Sequence, residues 1–450
     1  MSRFGKFLSV VVFVIVFLLG YSFPKFIYAT SKDGLVATLR NMPQRGIISN
    51  VTGKGLLNPS PVYDKIMKSI LSDYYKDTDE TKITYSGIHG MLLAFEDPFS
   101  NFFEPDEYKE MKEENEGNFS GIGAVLQMTE KGEVLVNEVT PKAPAEKAGI
   151  KAGDVIVAVD GNPTAGRNLN DVVKDIRGEE GTVVKITVER KGSKDHISFN
   201  VTRGIVPIIN STHKMLDEKN KIGYVTLKGF TQTADDDIDT ALSDLESKGM
   251  KGLILDFRNN PGGLLDMAVN ISSRFVNNGI VVIIQSRGGY RQNIMVDGEK
   301  HNHNMYPLVI LVNGSSASAS EIVSGCVKDH EAGTIVGDTT FGKGLVQSQV
   351  PLNDGSAISI TTAKYFTPSG TDIHKKGIEP DYFVKQNENY DSKIDESDYQ
   401  LQAARKILLV KMGVLKADEL SSIEAKSKEL KKEHQEKQAE KEKKEAKKNK

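Results

Sequence analysis

"PLVILVNGSSASASEIVSG", residues 307–325, runs from an unbroken apolar stretch through a serine-rich turn into a segment with helical spacing. Leu308 to Val312 carries no polar side chain, which is how a strand buried on both faces reads. After the turn, Ile322, Val323 and Cys326 recur at the steps of a helix that runs to about Asp329. Strand, tight turn and helix make one step of an α/β alternation, and the step repeats upstream. "GYVTLKGF" (223–230) reads as a strand, "TADDDIDTALSDLESKG" (233–249) as a helix and "KGLILDFRNN" (251–260) as a second buried strand. "LLDMAVNISSRFV" (264–276) follows as a helix and "GIVVIIQSR" (279–287) as a strand. The alternation predicts a largely parallel sheet sandwiched by helices. "VQSQVPL" (346–352) and "GSAISITTAKYF" (355–366) add a hairpin.

Upstream the character differs. "FSGIGAVLQMT" (119–129), "GEVLVNEVT" (132–140), "DVIVAVDG" (154–161) and "TVVKITVERKG" (182–192) are Val/Ile-rich runs separated by glycine turns. With a short helix at "PAEKAGI" and an amphipathic one over Leu169–Ile176, they predict a compact β-rich domain at 116–204. Residues 30–115 read as a helical module, with Tyr63, Ile66, Met67, Ile70, Leu71 and Tyr74 at helical intervals. Its role reads as structural or oligomeric rather than catalytic. The first 29 residues place Arg3 and Lys6 ahead of an apolar stretch from Phe7 to Tyr21, the arrangement of an export signal. Ile27 fits a cleavage site poorly, so a retained membrane anchor is an equal alternative, and either puts the rest of the chain outside the cytoplasm. Beyond the α/β segment 205–390, residues 391–450 hold a helix after Ser397 and a Lys/Glu-rich tail expected to be solvated, frayed or disordered.

The 450 residues carry 58 basic and 61 acidic side chains, a balance that gives no nucleic-acid footprint. The single cysteine, Cys326, is expected in the core, and no Cys/His spacing fits a metal. No cofactor is called for. Ser315, Ser316, Ser318 and Ser320 all lie between the carboxyl end of a buried strand and a helix N-terminus, where developing negative charge is stabilised. The competing reading makes all of them caps for that helix. Lys343 sits between two glycines in "GDTTFGKGLVQSQV" (337–350), with Gln347 four residues on and so on the same face. A lysine accepts a proton from serine only when neutral, which burial favours.

These segments, with "DFRNNPGG" (256–263) and "TPSGTDIHKKGIEPD" (367–381), resemble the C-terminal processing peptidases, or tail-specific proteases. The resemblance implies a mixed-sheet serine protease core of crotonase/Clp-like architecture at 205–390 with flanking helices, a small PDZ domain, and helical N- and C-terminal segments. It implies Ser318 as nucleophile, Lys343 as base and Gln347 as its orienting partner. It also implies an oxyanion hole from the backbone of Ala319 and of Gly262 or Gly263, although Pro261 stands where relatives often have another glycine. The stretch "TPKAPAEKAGIKAGDVIVAVDG" (140–161) is PDZ-like, and Gly121, Ile122 and Gly123 correspond to a carboxylate-binding loop. The implied partners are proteins with apolar C-termini. Arg177, just past the PDZ helix, is a candidate link toward the Gln347 segment, against a plain helix-terminal arginine. The end helices suggest a homodimer. The competing function is a catalytically inactive PDZ scaffold that binds tails without cutting.

Overall fold

The structure, a computed structural model, describes residues 59–386 and 397–448. The apolar N-terminal stretch read as signal or anchor lies outside the described residues. The amino-terminal unit ends at Glu80 and holds α1 (Pro59–Asp73), whose Tyr63, Ile66 and Ile70 are exposed.

The second unit begins at Thr81, one residue into α2 (Glu80–Leu93), and continues with a short strand β1 (Asn101–Phe103) and α3 (Pro105–Glu116). The β-rich domain follows, with β2 (Asn118–Gly121), β3 (Ala124–Met128), β4 (Val134–Val139), α4 (Pro144–Ala148), β5 (Val155–Val159) and β6 (Asn162–Pro163). It continues through α5 (Leu169–Ile176), β7 (Val183–Glu189), β8 (Ile197–Thr202) and β9 (Gly204–Pro207). Its sheet has the order β3-β4-β5-β7-β8, with β6 on β5, and β2 pairs with β9. Along β7 every second residue, Val184, Ile186 and Val188, is fully buried, the period-2 pattern that alternating side chains impose. Asn168 caps α5 by accepting from the Asp171 N–H, and α5 buries Val172 and Ile176 against this core.

The larger core contains β10 (Ser211–Asp217), β11 (Ile222–Leu227), α6 (Ala234–Ser247), β12 (Gly252–Asp256), α7 (Leu265–Phe275), β13 (Ile280–Ser286) and β14 (Arg291–Met295). Then come β15 (Leu308–Val312), α8 (Ala319–Asp329), β16 (Thr334–Gly337), β17 (Leu345–Pro351), β18 (Ala357–Phe366), β19 (Tyr382–Phe383), α9 (Tyr399–Lys411) and α10 (Ser421–Lys448). One sheet has the order β10-β11-β12-β15-β16-β19, parallel except for the edge strand β10. Alternate residues of its strands, among them Tyr224, Ile254, Val309, Leu311 and Val336, pack on Leu401, Ala404, Ile407 and Leu408 of α9.

Two expectations change. Strand β13 belongs not to the parallel sheet but to an antiparallel one, β1-β18-β13-β14 with β17 on β18. The reason is local: Gly288 and Gly289 both take positive φ (86° and 82°) and turn the chain straight back into β14, as tight hairpins require. The Lys/Glu tail is also not wholly solvated. Ser427 and Leu430 of its first half are buried, as is Leu420 in the turn just before α10, and Ser427 Oγ accepts from the Phe383 N–H at 2.8 Å. Their spacing is a narrow helical stripe that lies against β19.

Candidate active site

The turn after β15 explains why one serine differs from its neighbours. Ser316 donates to the Phe257 carbonyl at 2.8 Å, and Ser320 donates to the Asn260 carbonyl at 3.0 Å. Both are fully buried and spent on holding the 257–260 turn beside them. Ser315 is exposed on the outside of the turn. Ser318 is half-buried, has no such carbonyl partner, and sits at φ 54°, ψ −113°. That conformation is strained for any residue with a Cβ and persists only where the surroundings hold it.

The holding group is Glu321. Its buried carboxylate accepts from four donors: Thr340 Oγ1 at 2.6 Å and the Gly342 N–H at 2.7 Å on one oxygen, the Ser318 N–H at 2.8 Å and the Lys343 N–H at 2.9 Å on the other. Because one oxygen takes both, the backbone nitrogens of residues 318 and 343 are no further apart than those two bonds laid end to end. Burial pushes the Glu321 carboxyl above its usual range, against the pull of the four donors.

Lys343 is half-buried between Gly342 and Gly344. A Cβ on Gly342 would lie 2.8 Å from the Lys376 nitrogen, and one on Gly344 would lie 2.9 Å from the His374 nitrogen. The glycines therefore let the 373–377 loop close over the lysine's backbone, as the sequence suggested. Desolvation pushes the Lys343 ammonium below its usual range, while Asp97 and Glu321 pull it back. Its Nζ makes no hydrogen bond to Ser318 and lies 5.0 Å from the centre of the Phe99 ring.

Gln347 departs from expectation in detail. Its Nε2 donates to Thr361 Oγ1 at 3.2 Å rather than meeting the lysine. The register of β17 on β18 slips at this point, with Val346 opposite Ala363 but Gln347 opposite Thr361, so four-residue spacing alone did not fix where the amide points. The backbone amides implied for an oxyanion hole differ in what they already bind. The Gly262 N–H is occupied by Asn260 Oδ1 at 2.9 Å, which corrects its inclusion as a donor. The Ala319 and Gly263 N–H groups have no protein acceptor among the described residues. Gly262 instead supplies space: a Cβ there would lie 2.7 Å from Ser318 Cβ and 2.7 Å from the Ala317 oxygen. Asp256, Arg258 and Asn260 brace the turn. Arg258 grips Asp256 and, at 2.8 Å, Asp398 at the start of α9, and Asn260 donates to the Leu227 carbonyl.

In the small domain, Ile122 and Gly123 leave their N–H groups without protein acceptors among the described residues, while their carbonyls accept from Ala145 and Thr140. Gly121 closes β2 opposite Gly204. β3, which follows this loop, is an edge strand with α5 alongside. Arg177 lies over the Phe119 ring and pairs with Glu110 of α3 at 3.5 Å; neither contact is to Gln347. Cys326 is fully buried, its thiol pushed up to about 12, so it is a core residue. Among the described residues no acidic, His or Cys cluster has the makings of a metal site, and no helix is long and apolar enough to cross a membrane.

Sequence reasoning missed Asp97, Phe99, Ser100 and Thr361 around the lysine, and Tyr365, whose hydroxyl donates to the Ser318 carbonyl at 3.1 Å. The motif around Asp97, "EDPFS", signals only a turn.

Residues 221–384 match peptidase family S41, and residues 135–190 match the PDZ domain. The carboxy-terminal-processing protease of Bartonella bacilliformis is 36% identical over 75% of this chain and 78% of its own length. The carboxy-terminal processing protease CtpA of Bacillus subtilis is 38% identical over 71% and 68%. A solved photosystem II D1 C-terminal processing protease is 35% identical over 72% of this chain and 86% of its own, with a TM-score of 0.43. The chain belongs to the carboxy-terminal processing proteases of peptidase family S41, serine proteases that carry a PDZ domain.

Proposed function

We propose that this chain is an exported endopeptidase that captures the apolar C-terminal tail of a protein on its PDZ domain and cuts the chain with a Ser318–Lys343 dyad. The observation that carries the reading is the shared Glu321 oxygen that tethers the backbones of both residues. As Ser318 Oγ attacks the scissile carbonyl, the neutral Lys343 amine, swung from Phe99 toward the hydroxyl, takes its proton. The carbonyl oxygen becomes an oxyanion facing the Ala319 and Gly263 N–H groups. Collapse expels the amine of the downstream peptide, which takes the proton from the Lys343 ammonium. Water then attacks the acyl ester, with Lys343 again as base. Tail capture uses the free edge of β3 for strand addition and the Ile122 and Gly123 amides for the terminal carboxylate.

Export rests on the N-terminal charge and apolar pattern, and the end helices favour a homodimer. PDZ occupancy reaches the dyad, in this reading, through α3: Arg177 holds Glu110, and the adjacent Met111 touches Gln349 of β17 at 3.4 Å. Peptide-stimulated turnover left intact in Arg177→Ala would remove that route.

The test incubates the purified protein with an unfolded substrate carrying an apolar tail. Ser318→Ala and Lys343→Ala should each lose at least about 10²-fold in kcat/KM while still binding the tail peptide. Undiminished cutting in either variant refutes the dyad. Tail binding without any cutting by the wild-type chain would favour the scaffold.

A further inference from the structure

We propose that the turn Asp97–Ser100 positions the base of the dyad, with the Phe99 ring seating the Lys343 amine and the Asp97 carboxylate holding that ring's segment in place. The inference rests on the reading of Lys343 as that base. Nothing else holds the amine: Lys343 Nζ has no hydrogen-bond partner among the described residues, and its ring contact is Phe99, at 5.0 Å.

The ring itself is clamped. Asp97 accepts from the Phe99 N–H at 3.0 Å and from Ser100 Oγ at 2.7 Å. Ser100 Oγ in turn accepts from the Thr361 N–H at 3.0 Å, and one residue on, Asn101 pairs with Ser359 of β18. Phe99 thus inherits its place from β18. The same strand takes the Gln347 amide on Thr361 Oγ1 and reaches the Ser318 carbonyl through Tyr365. One strand therefore registers the seat of the amine, the glutamine and the nucleophile against one another. A segment with only a structural role would not need to place an aromatic face under an amine that nothing else holds.

The chemistry follows from what faces the amine. An aromatic face and a carboxylate both favour ammonium over amine. The charged and titratable groups around it are Asp97 from the turn and Glu321 from α8. Asp97 in turn feels the charge of His374 of the 371–377 loop, which feels Lys364, Lys375 and Asp372, and Tyr365 lies on β18. Desolvation favours the free amine and outweighs the Asp97 and Glu321 charges. The turn therefore offsets part of that push, keeps the amine parked on the Phe99 ring until substrate draws it to Ser318, and thereby helps set the pH at which the free amine appears.

The experiment is the pH dependence of kcat/KM, measured with the full chain and a tail-bearing unfolded protein. Its acid limb reports the base in the free enzyme. Asp97→Asn and Phe99→Leu each remove a feature that favours the ammonium, so each should move the limb to lower pH, by about half a unit to one and a half. Phe99→Tyr keeps the aromatic face and should leave the limb in place. An unmoved limb in both Asp97→Asn and Phe99→Leu, with Lys343→Met inactive in the same assay, overturns the positioning role and leaves the dyad standing. Turnover by Lys343→Met instead overturns the dyad, and this inference with it. If Asp97→Asn folds poorly, a ¹³Cε titration of Lys343 in Ser318→Ala, with and without Phe99→Leu, gives the same readout without turnover. Equal midpoints there also overturn the proposal.

Discussion

Replacing Glu321 by glutamine should leave a working enzyme, whereas replacing it by alanine should remove both stability and activity. The carboxylate meets four donors and no acceptor, a pattern that only its ionised form satisfies in full. In Glu321→Gln the new NH₂ must face one pair of these donors. Facing Ser318 and Lys343 it would oppose two backbone N–H groups that cannot turn. Facing Thr340 and Gly342 it strands only the Gly342 N–H, because the Thr340 hydroxyl can rotate, keeping the bond it accepts from the Ile378 N–H at 2.6 Å. The amide oxygen should therefore stay on Ser318 and Lys343. One stranded N–H plus the loss of charge from the remaining bonds costs about 2–4 kcal/mol. Glu321→Ala strands all the donors and should cost about 5 kcal/mol or more, close to the whole stability of a modest domain. Urea unfolding measures the first difference and kcat/KM the second. Glutamine should keep activity within about tenfold, whereas alanine should lose it by about 10³-fold, the scale of a misplaced general base. Equal loss in the two variants, or an alanine variant as stable as wild type, would refute the tether.

Gly262→Ala should cut kcat/KM by at least about 10²-fold with tail-peptide binding unchanged, because its Cβ would lie 2.7 Å from Ser318 Cβ and small displacements of reacting groups are that costly; full activity would mean the turn gives way freely. Asp217 stands buried at the end of β10, where burial pushes its carboxyl up but Asn220 and Arg405 outweigh it and bring it down to about 2. A depressed carboxylate adds stability that is present above its unfolded value near 4 and is lost as pH falls toward 2. At about 1.4 kcal/mol per unit, that is about 2 kcal/mol, so Asp217→Asn should flatten the pH dependence of unfolding in that window; an unchanged curve would show that the contact with α9 contributes nothing.

Much of the fold could be read because its determinants are local. Leu253–Leu255 and Leu308–Val312 carry enough apolar side chains to be strands buried on both faces, and they are. Asn168 announces the start of α5 by its own capping chemistry. The sheet to which β13 belongs was not legible from its own "IVVIIQS", which suits either sheet. It was decided by the pair Gly288–Gly289, whose hairpin turn excludes a helical crossover. The docked half of α10 escaped for a related reason. Ile423, Ser427 and Leu430, with Leu420 in the turn just before them, are too sparse a stripe to stand out among lysines and glutamates until β19 supplies the other surface.

The catalytic side was legible to the extent that its groups lie on one chain segment or match a family pattern. Among Ser315, Ser316, Ser318 and Ser320, the physical distinction lies in which hydroxyls are consumed by Phe257 and Asn260, some 60 residues upstream, and no local pattern encodes that. Gly262 and Gly263 look interchangeable as amide donors until Asn260 Oδ1 is seen to take one of them. Phe99 is the limiting case. Its own segment spells a turn, and its value to Lys343 arises only because β1 adds to β18. A residue that seats a base need not carry any chemistry of its own; it needs a rigid place next to it. Such places are supplied by pairing between distant strands, so the residues that tune a site are the ones a linear reading assigns to scaffold.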